Sequence, residues 1–331
     1  MASRDLDLEG EAALERGSQP GGPGFFSSAR VFSPPVGPRV TPEELGGYYI
    51  DFRVKQEPSE LGDADRELHV ATAQWGLGCY ERYLAGEGER WLATALRAAE
   101  HLADRQVRDG ILDGGWVHHS PIHTYRLEPP WMSGMAQGEG ASLLLRVYAE
   151  TGDERLAQAA LRALRPLAIP TASGGLRVPL GSGFFLEEYP THPPSMVLNG
   201  GIFALWAYRD VALALGDADA NREFEEGVDA LADNIGRWDT GSWTRYDLFP
   251  HPVTNVASSF YHVLHINQVR AMQLVAPRPD LSAAVERWER YRESGSLRRR
   301  ALARKALFRL VVPRNRYLAH RLPFGRIRRR V

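Results

Sequence analysis

The sequence has a single cysteine, Cys79, among its 331 residues. One cysteine excludes an internal disulfide and any zinc cage built from cysteines. No uncharged apolar run of about 18 residues occurs, so a membrane-spanning helix is not expected. The first eleven residues are acidic and contain no apolar core, so an ordinary secretory signal is not expected either. Together these absences predict an intracellular, soluble protein.

Motifs for the common cofactors are also missing. No Gly-x-Gly-x-x-Gly or Walker loop precedes a helix in a βαβ setting, which argues against a nucleotide cofactor. No Gly-x-Ser-x-Gly elbow is present. His118, His119 and His123 form a histidine trio, but their spacing matches no familiar zinc motif and no His-Glu-x-x-His pair exists. We therefore predict no cofactor and no metal site.

Charge is distributed very unevenly along the chain. Residues 296–331, the basic tail, carry 12 Arg and one Lys with no acidic residue, which leaves the rest of the chain at -14 although the total is -1. Within this tail, Leu302–Val312 is a basic amphipathic run. We favour attachment to an anionic membrane surface or an acidic glycan over a merely solvated tail, and expect no nucleic-acid partner. Membrane attachment would place the protein in the cytoplasm, at the inner membrane surface.

A repeat organises the middle of the sequence. Helical patterns are interrupted at Gly88, Gly152 and Gly216, which lie 64 residues apart, and a further 64 residues reach Asp280 between two more helical runs. Four helix–turn–helix units at a fixed period indicate a helical array. The predicted fold is mostly α: an incomplete (α/α) barrel or toroid of about four helical hairpins, with short β segments in the connecting loops and near the N-terminus.

This pattern divides the chain into four parts. Residues 1–40 are rich in Gly, Pro and Ser and are predicted to be a disordered arm. Residues 41–65 form a short β or extended segment that includes the aromatic stretch Gly46–Phe52. Residues 66–295 form the toroid, and residues 296–331 form the basic tail.

Three long loops, residues 109–131, 172–194 and 239–254, connect the predicted hairpins. Connections of this length in a compact helical protein are usually functional or disordered, and we favour a functional role because each loop contains aromatic and ionisable residues. On a toroid they would emerge at one end and converge on one cleft. In the second loop, Glu187, Glu188 and Tyr189 lie between glycines and three prolines, ahead of a helix expected near Met196. Gly and Pro predict a loop of defined shape that is a plausible carrier of chemistry.

The ionisable residues of these loops are accompanied by Trp and Tyr, a combination typical of carbohydrate sites. Such rings stack on sugars, and carboxylates and amides reach hydroxyl groups. His262 and His265, three residues apart on one predicted helix face, fit either a structural or a functional role. From the residues alone, the loops indicate a carbohydrate site and leave its activity open.

Five stretches, in order and within about residues 68–290, resemble the C-terminal domain of the D-glucuronyl C5-epimerase family. The matching stretches are Ala73–Tyr80, Leu127–Gly138, Glu187–Gly200, Asp239–Leu248 and Tyr261–Gln268. The resemblance implies an incomplete α/α barrel that inverts C5 of D-glucuronate within a heparosan-type polysaccharide, giving L-iduronate without a cofactor. It implies acid–base groups at Glu188, Tyr189, Tyr246 and Tyr261. A homodimer is a further partner that the resemblance suggests.

The reaction explains why such residues would be needed. The C5 hydrogen lies next to a carboxylate and is a very weak acid, so the developing enediolate must be stabilised. Inversion needs one group to remove the proton and another to return it on the opposite face. We assign Tyr261 and Glu188 to these two roles, while Tyr189 and Tyr246 position the sugar or relay protons. A tyrosine with a reference pKa of about 10 would need a nearby cation, for which Arg245 and His262 are the candidates.

Further residues in the same stretches are expected to contact the sugar chain. They are Gln74, Trp116, Glu128, Gln137, Asn199, Arg245, His262 and Asn267. One position departs from the animal members of the family, which carry Arg directly after Tyr-Asp-Leu where this chain has Phe249. The alternatives are a uronate polysaccharide lyase, which shares the C5 abstraction, and a non-catalytic glycan-binding protein. An inverting glycosidase is least favoured, because no carboxylates are evidently paired across two loops.

Overall fold

The computed structural model of the protein describes residues 43–63 and 65–313. The arm predicted over residues 1–40 and the final part of the basic tail lie outside the described residues. The helices are α1 His69–Leu84, α2 Arg90–Arg105, α3 Gly134–Thr151, α4 Glu154–Ala163, α5 Arg165–Ala168, α6 Leu198–Leu215, α7 Ala218–Asn234, α8 Ser259–Val275, α9 Pro279–Glu293 and α10 Gly295–Val311. The strands are β1 Val117–His118, β2 Trp131–Met132, β3 Arg177–Leu180 and β4 Gly183–Leu186.

The four predicted hairpins are present. They pair α1 with α2, α3 with α4, α6 with α7 and α8 with α9, each across a short turn at or beside one of the breaks in the 64-residue repeat. Gly152 and Gly216 end α3 and α6 in the left-handed region, with φ of 68° and 66°, where a residue with a Cβ is strained. Asp153 and Asp217 then cap the following helices through their side chains.

The hairpins form an arc with an inner and an outer layer. The inner helices α1, α3, α6 and α8 pack against each other in sequence, and the outer helices α2, α4, α7 and α9 follow them outside. Helix α3 buries 14 of its 18 residues whereas α2 buries five of 16. A helix covered on all sides is apolar all round, and an outer helix needs only one apolar stripe. The predicted incomplete α/α barrel is confirmed.

The β segments are confirmed in the loops but not near the N-terminus. Strands β1 and β2 pair antiparallel within the first long loop, and β3 and β4 form a hairpin in the second. In the described part of residues 41–65 there is no strand. Tyr48, Tyr49, Ile50 and Phe52 are instead fully buried against the helices. Large apolar side chains point to all sides of this segment. Insertion into the core buries all of them, whereas a strand at a sheet edge would leave some in water.

This aromatic segment, residues 46–52, closes one end of the barrel. The Tyr49 hydroxyl donates to Asp210 at 2.6 Å, and Arg146 donates to the other oxygen of the same carboxylate at 2.6 Å. Arg146 and Asp210 lie in the C-terminal halves of α3 and α6. Because each inner helix is reached by a return through an outer helix, the inner helices run parallel. Their N-termini, and the long loops that precede α3, α6 and α8, therefore lie at the opposite end.

Helix α10 changes the predicted boundary of the basic tail. Residues 295–311 form a helix capped by Ser294, and it packs on α8 and α9. Its buried residues are Ala301, Lys305 and Phe308, which share one helix face by their spacing of four and three. The first half of the predicted tail is thus part of the folded body. In the described ranges no helix is both long and apolar enough to span a bilayer.

Candidate functional site

The three long loops meet at the N-terminal ends of the inner helices. The Tyr125 ring of the first loop lies 5.0 Å from the Tyr189 ring of the second, centroid to centroid. The Tyr125 hydroxyl donates to Asp247 of the third loop at 2.7 Å. The Leu248 amide donates to the carbonyl of Ser195, just beyond the second loop, at 2.9 Å. The predicted convergence on one site is confirmed by these contacts.

Two adjacent glutamates of the second loop have different surroundings. Glu187 is fully buried and accepts from the amides of Ser195 and Met196 at 3.0 and 2.9 Å, and from the Ser195 hydroxyl. It therefore fixes the turn into α6. Glu188 accepts a hydrogen bond from the Tyr189 hydroxyl, and its Oε2 is buried without a hydrogen-bond partner among the described residues. An unpaired carboxylate oxygen is available to a ligand.

The Glu188 carboxylate lies against the first turn of α6. A Cβ added at Gly200 would stand 2.3 Å from Glu188 Oε2 and 2.4 Å from its Cβ. Only glycine leaves room for this side chain, which explains the Asn199-Gly200 pair at the start of α6. Burial raises the pKa of Glu188 to about 7, with Glu187 and Asp247 adding to the shift. Near neutral pH this carboxyl can therefore either accept or donate a proton.

Two tyrosines form the other side of the cluster. The rings of Tyr246 and Tyr261 are in edge contact with centroids 4.7 Å apart. Tyr261 is 8% exposed and lies in the first turn of α8, which Ser258 caps through the Tyr261 amide. Burial raises the pKa of Tyr246 well above its usual value, and the neighbouring Tyr261 and Glu188 add to the shift. Tyr246 is accordingly protonated at neutral pH. The structure thus brings all four predicted catalytic residues together.

A cation that sequence reasoning missed lies beside these tyrosines. Lys305 of α10 donates to Asn255 Oδ1 and to the Val256 carbonyl, both at 3.0 Å, and its Nζ is 5.3 Å from the Tyr246 ring centroid. Asn255 in turn donates to Asp247 at 2.5 Å, on the oxygen that also accepts from Tyr125. The signal was present in the sequence, because Lys305 is the one lysine of the tail and lies in phase with Ala301 and Phe308.

Two predicted sugar-binding amides lie in the polar interior beside Glu188. Gln74 is fully buried and donates to Glu139 at 3.0 Å. Burial raises the pKa of Glu139 well above its usual value, and Glu188 is close enough to add to the shift. Asn199 is 1% exposed, and its Oδ1 has no hydrogen-bond partner among the described residues. The structure groups Gln74 and Asn199 with the site, and their contact with a sugar stays a prediction.

Trp116 and Gln137 have structural roles, in contrast to the sugar-binding role predicted for them. The Trp116 indole is fully buried and donates to the Leu102 carbonyl at 2.8 Å. Gln137 accepts from the Trp116 amide at 3.0 Å and donates to the carbonyls of Gly114 and Ala163 at 2.8 and 2.9 Å. With their polar groups satisfied inside the protein, neither side chain can reach a ligand; they hold the first loop to α3.

His262 is also a structural residue, so the prediction that it is a cation is wrong. Its ring is fully buried, stacks on Trp243 at 3.8 Å, and lies between the Thr244 hydroxyl and the Trp288 carbonyl at 2.8 and 3.0 Å. Burial lowers the pKa of His262 to about 4, so the ring is neutral at pH 7. Arg245, the other predicted cation, is half-buried and its Nε has no hydrogen-bond partner in the described part of the chain.

The two remaining predicted residues lie on the first long loop and on α8. Glu128 is exposed in the first loop, just before the cis Pro129–Pro130 bond, and Asn267 is 4% exposed on α8. For both, contact with substrate stays a prediction. His118 of the histidine trio stacks on Trp131 with centroids 4.5 Å apart. Across residues 43–63 and 65–313 no group of three His, Cys, Asp or Glu side chains could hold a metal ion.

The chain is similar to known proteins over most of the residues that build this site. The sequence model of a family described as D-glucuronyl C5-epimerase C-terminus matches residues 112–290, more than half of the chain. The D-glucuronyl C5-epimerase of Caenorhabditis elegans is 32% identical over 208 residues, covering 57% of this chain and 34% of that protein. The chain therefore corresponds to about a third of that relative's length.

Two further similarities are more distant. An uncharacterized protein of Methanocaldococcus jannaschii is 27% identical over 199 residues, covering 57% of this chain and 63% of that protein. Among solved structures, an unsaturated glucuronyl hydrolase from Bacillus sp. GL1, responsible for the degradation of glycosaminoglycan, gives a TM-score of 0.42 at 18% identity. That match covers 76% of this chain and 65% of that chain.

Proposed function

The chain belongs to the D-glucuronyl C5-epimerase family, and we propose that it inverts C5 of D-glucuronate within a polysaccharide to give L-iduronate. One observation carries the proposal. Glu188 presents a buried carboxylate oxygen without a hydrogen-bond partner among the described residues, in a cluster with Tyr189, Tyr246 and Tyr261. A base of pKa about 7 beside phenols, which can donate a proton, is what proton removal and return at a carbon acid require.

The proposed reaction has two proton transfers. Glu188, ionised, removes the C5 proton, and the electron pair of the C–H bond moves into the uronate carboxylate to form an enediolate. Tyr261 then donates its phenol proton to C5 from the opposite face, and the enediolate collapses to the inverted uronate. The enzyme is left with a protonated Glu188 and a tyrosinate. Proton transfer from Glu188 to that tyrosinate, directly or through Tyr246 or water, restores the starting state.

Positive charge is needed at two points in this scheme. The substrate carboxylate gains negative charge in the enediolate, and Tyr261 becomes negative after it donates. Lys305 lies over the Tyr246 ring, which contacts Tyr261, so its charge favours a phenolate in this cluster. Arg245 is half-buried, its Nε has no hydrogen-bond partner in the part of the chain that the structure describes, and it is the group proposed to bind the uronate carboxylate. In this scheme Lys305 takes the role that the sequence suggested for His262.

The decisive experiment is incubation of the protein with glucuronate polymers of the heparosan type in heavy water. Proton NMR should show loss of the C5 signal and a rising ratio of iduronate to glucuronate. A Tyr261→Phe variant should lose inversion, because the proton on the second face has no donor. Its melting temperature should match the unaltered protein, since only a hydroxyl is removed.

Two outcomes would contradict the proposal. An ultraviolet absorbance from unsaturated uronate would establish the lyase, which expels the C4 oxygen after the same proton abstraction. Binding of the polymer with no deuterium at C5, across polymers with and without N-sulfation, would establish a non-catalytic glycan-binding protein. Both results are read from the same reaction mixtures.

A further inference from the structure

Helix α10 exposes an apolar face to solvent. Between residues 302 and 311 every residue classed as exposed is apolar, namely Leu302, Ala303, Ala306, Leu307, Leu310 and Val311. Leu310 is 71% exposed and Leu307 51%. Four of the seven large exposed apolar side chains in the described residues lie on this ten-residue stretch. A helix face that remains in water is normally polar, so this clustering indicates a binding surface.

Exposed arginines lie next to this apolar face. Arg298, Arg299 and Arg300, at the N-terminal end of α10, are all exposed. Beyond α10 the sequence continues with Arg314 and Arg316, and the whole of residues 296–331 holds no acidic residue. Exposed arginine side chains next to an apolar helix face, in a segment without acidic residues, suit the boundary between lipid tails and anionic headgroups. A bilayer offers an apolar region to the leucines and anionic headgroups to the arginines. An acidic polymer would interact with the arginines only.

We propose that the outer face of α10 docks the protein on an anionic lipid bilayer, with Leu302, Leu307, Leu310 and Val311 entering the headgroup boundary. The opposite face of the same helix holds Ala301, Lys305 and Phe308 in the body, next to the site. The site then lies about one helix diameter, roughly 10 Å, from the membrane surface. A polymer anchored in or emerging from that surface would be held beside the loops. The docking does not depend on the reaction proposed above.

Vesicle co-sedimentation of the full chain tests this docking. The protein should sediment with vesicles of phosphatidylcholine and phosphatidylglycerol and not with phosphatidylcholine alone, and added salt should weaken the binding. The double variant Leu307→Asp, Leu310→Asp should reduce partitioning by at least about tenfold, because two apolar anchors become charged. Changing Arg298, Arg299 and Arg300 together to Gln should also weaken binding, through charge alone.

A matched control is available on α8. Leu274 is 52% exposed, close to Leu307, and Leu274→Asp adds the same charge to a different surface, so it should leave partitioning unchanged. Equal partitioning of the α10 double variant and the unaltered protein would overturn the proposal. So would dimers in sedimentation velocity that the double variant converts to monomers, since a second copy would then cover this face. Because the leucines are exposed, the double variant should keep the melting temperature and its activity on short soluble substrates, which separates docking from the proposed reaction.

Discussion

Glu187 and Glu188 are neighbours in sequence and both buried, yet among the described residues only Glu188 has a carboxylate oxygen without a hydrogen-bond partner. Alternate residues of an extended chain point to opposite sides, so one carboxylate faces the turn into α6 and the other faces the cluster of tyrosines. Both oxygens of Glu187 accept hydrogen bonds, from the amides of Ser195 and Met196. Glu188 fits only because Gly200 has no side chain. The pair therefore offers a matched test of structural against catalytic roles.

Replacing Glu188 with Gln should abolish the proton transfer and leave the fold intact. We expect Glu188→Gln to lower the rate of C5 deuterium exchange by at least about 100-fold, the usual effect of losing a general base. Glu187→Gln should act differently: it weakens the hydrogen bonds to Ser195 and Met196 and should cost about 1–3 kcal/mol of stability. Exchange measured by NMR and melting followed by circular dichroism separate the two. The assignment fails if the Glu187 variant alone loses exchange.

The raised pKa of Glu188 predicts opposite effects of pH on activity and stability. A base must be ionised, so kcat/KM for exchange should rise with pH through about 7. Because the folded protein binds the proton more tightly than the unfolded chain does, unfolding free energy should fall as pH rises from about 4.5 to about 7. Glu188→Gln should remove on the order of 1–3 kcal/mol of that fall. Urea titrations at several pH values provide the measurement; an identical pH dependence in the variant would contradict the prediction.

At the scale of elements, α10 is the part of the structure that connects the tail to the site. It reaches the third loop through Phe308, whose ring lies 5.0 Å from that of His251, and the two residues after that loop through Lys305, which donates to Asn255 and Val256. Asn255 passes the connection on to Asp247 and Tyr125. The helix begins after residue 290, where the match to the family ends. Its contribution to the site is therefore a feature of this chain that the family match does not cover.

Lys305→Met should reduce catalysis by removing the charge while keeping the length of the side chain. Without the cation a phenol in the cluster ionises less readily, so the alkaline limb of the kcat/KM profile should move up by roughly one pH unit. Lys305→Arg should restore the profile in part. Arg300→Gln, which removes one exposed charge from the same helix, is the control and should leave the profile in place. If Lys305→Met lowers the melting temperature without moving the limb, the lysine is only structural.

On the scale of the whole molecule, the barrel has one end for the site and one end sealed by the aromatic segment. The seal depends on Asp210, which accepts from both Tyr49 and Arg146, and the ion pair is fully buried. Tyr49 also stacks on Trp206 with centroids 4.1 Å apart. The aromatic segment is therefore bonded to α3 and α6, the two central inner helices of the barrel.

Asp210→Asn should destabilise the fold by about 3–5 kcal/mol, because Arg146 would keep a buried charge without its partner. Urea unfolding followed by circular dichroism gives the size of the loss. Asp219→Asn, which breaks an exposed pair with Arg222 on α7, should leave stability unchanged. Substrate-dependent exchange should survive Asp210→Asn under folding conditions, since the altered pair lies at the far end of the inner helices. A variant as stable as the original protein would show that the pair does not hold this end together.

The sequence by itself determined the hairpins, the loops between them and the residues of the second loop. The 64-residue repeat and the glycines at the turns are local signals, which can be read from the order of the residues alone.

The predictions failed where the interacting residues are far apart in sequence. His262 is neutral because it is buried against Trp288. Gln137 cannot bind a ligand because its amide donates to the carbonyls of Gly114 and Ala163. In the sequence Lys305 is one of many positive charges of the basic tail, and only the packing of α10 places it beside Tyr246. Only the tertiary structure decided these roles, because the pKa of a side chain and the availability of its hydrogen-bonding atoms are set by what surrounds it in space.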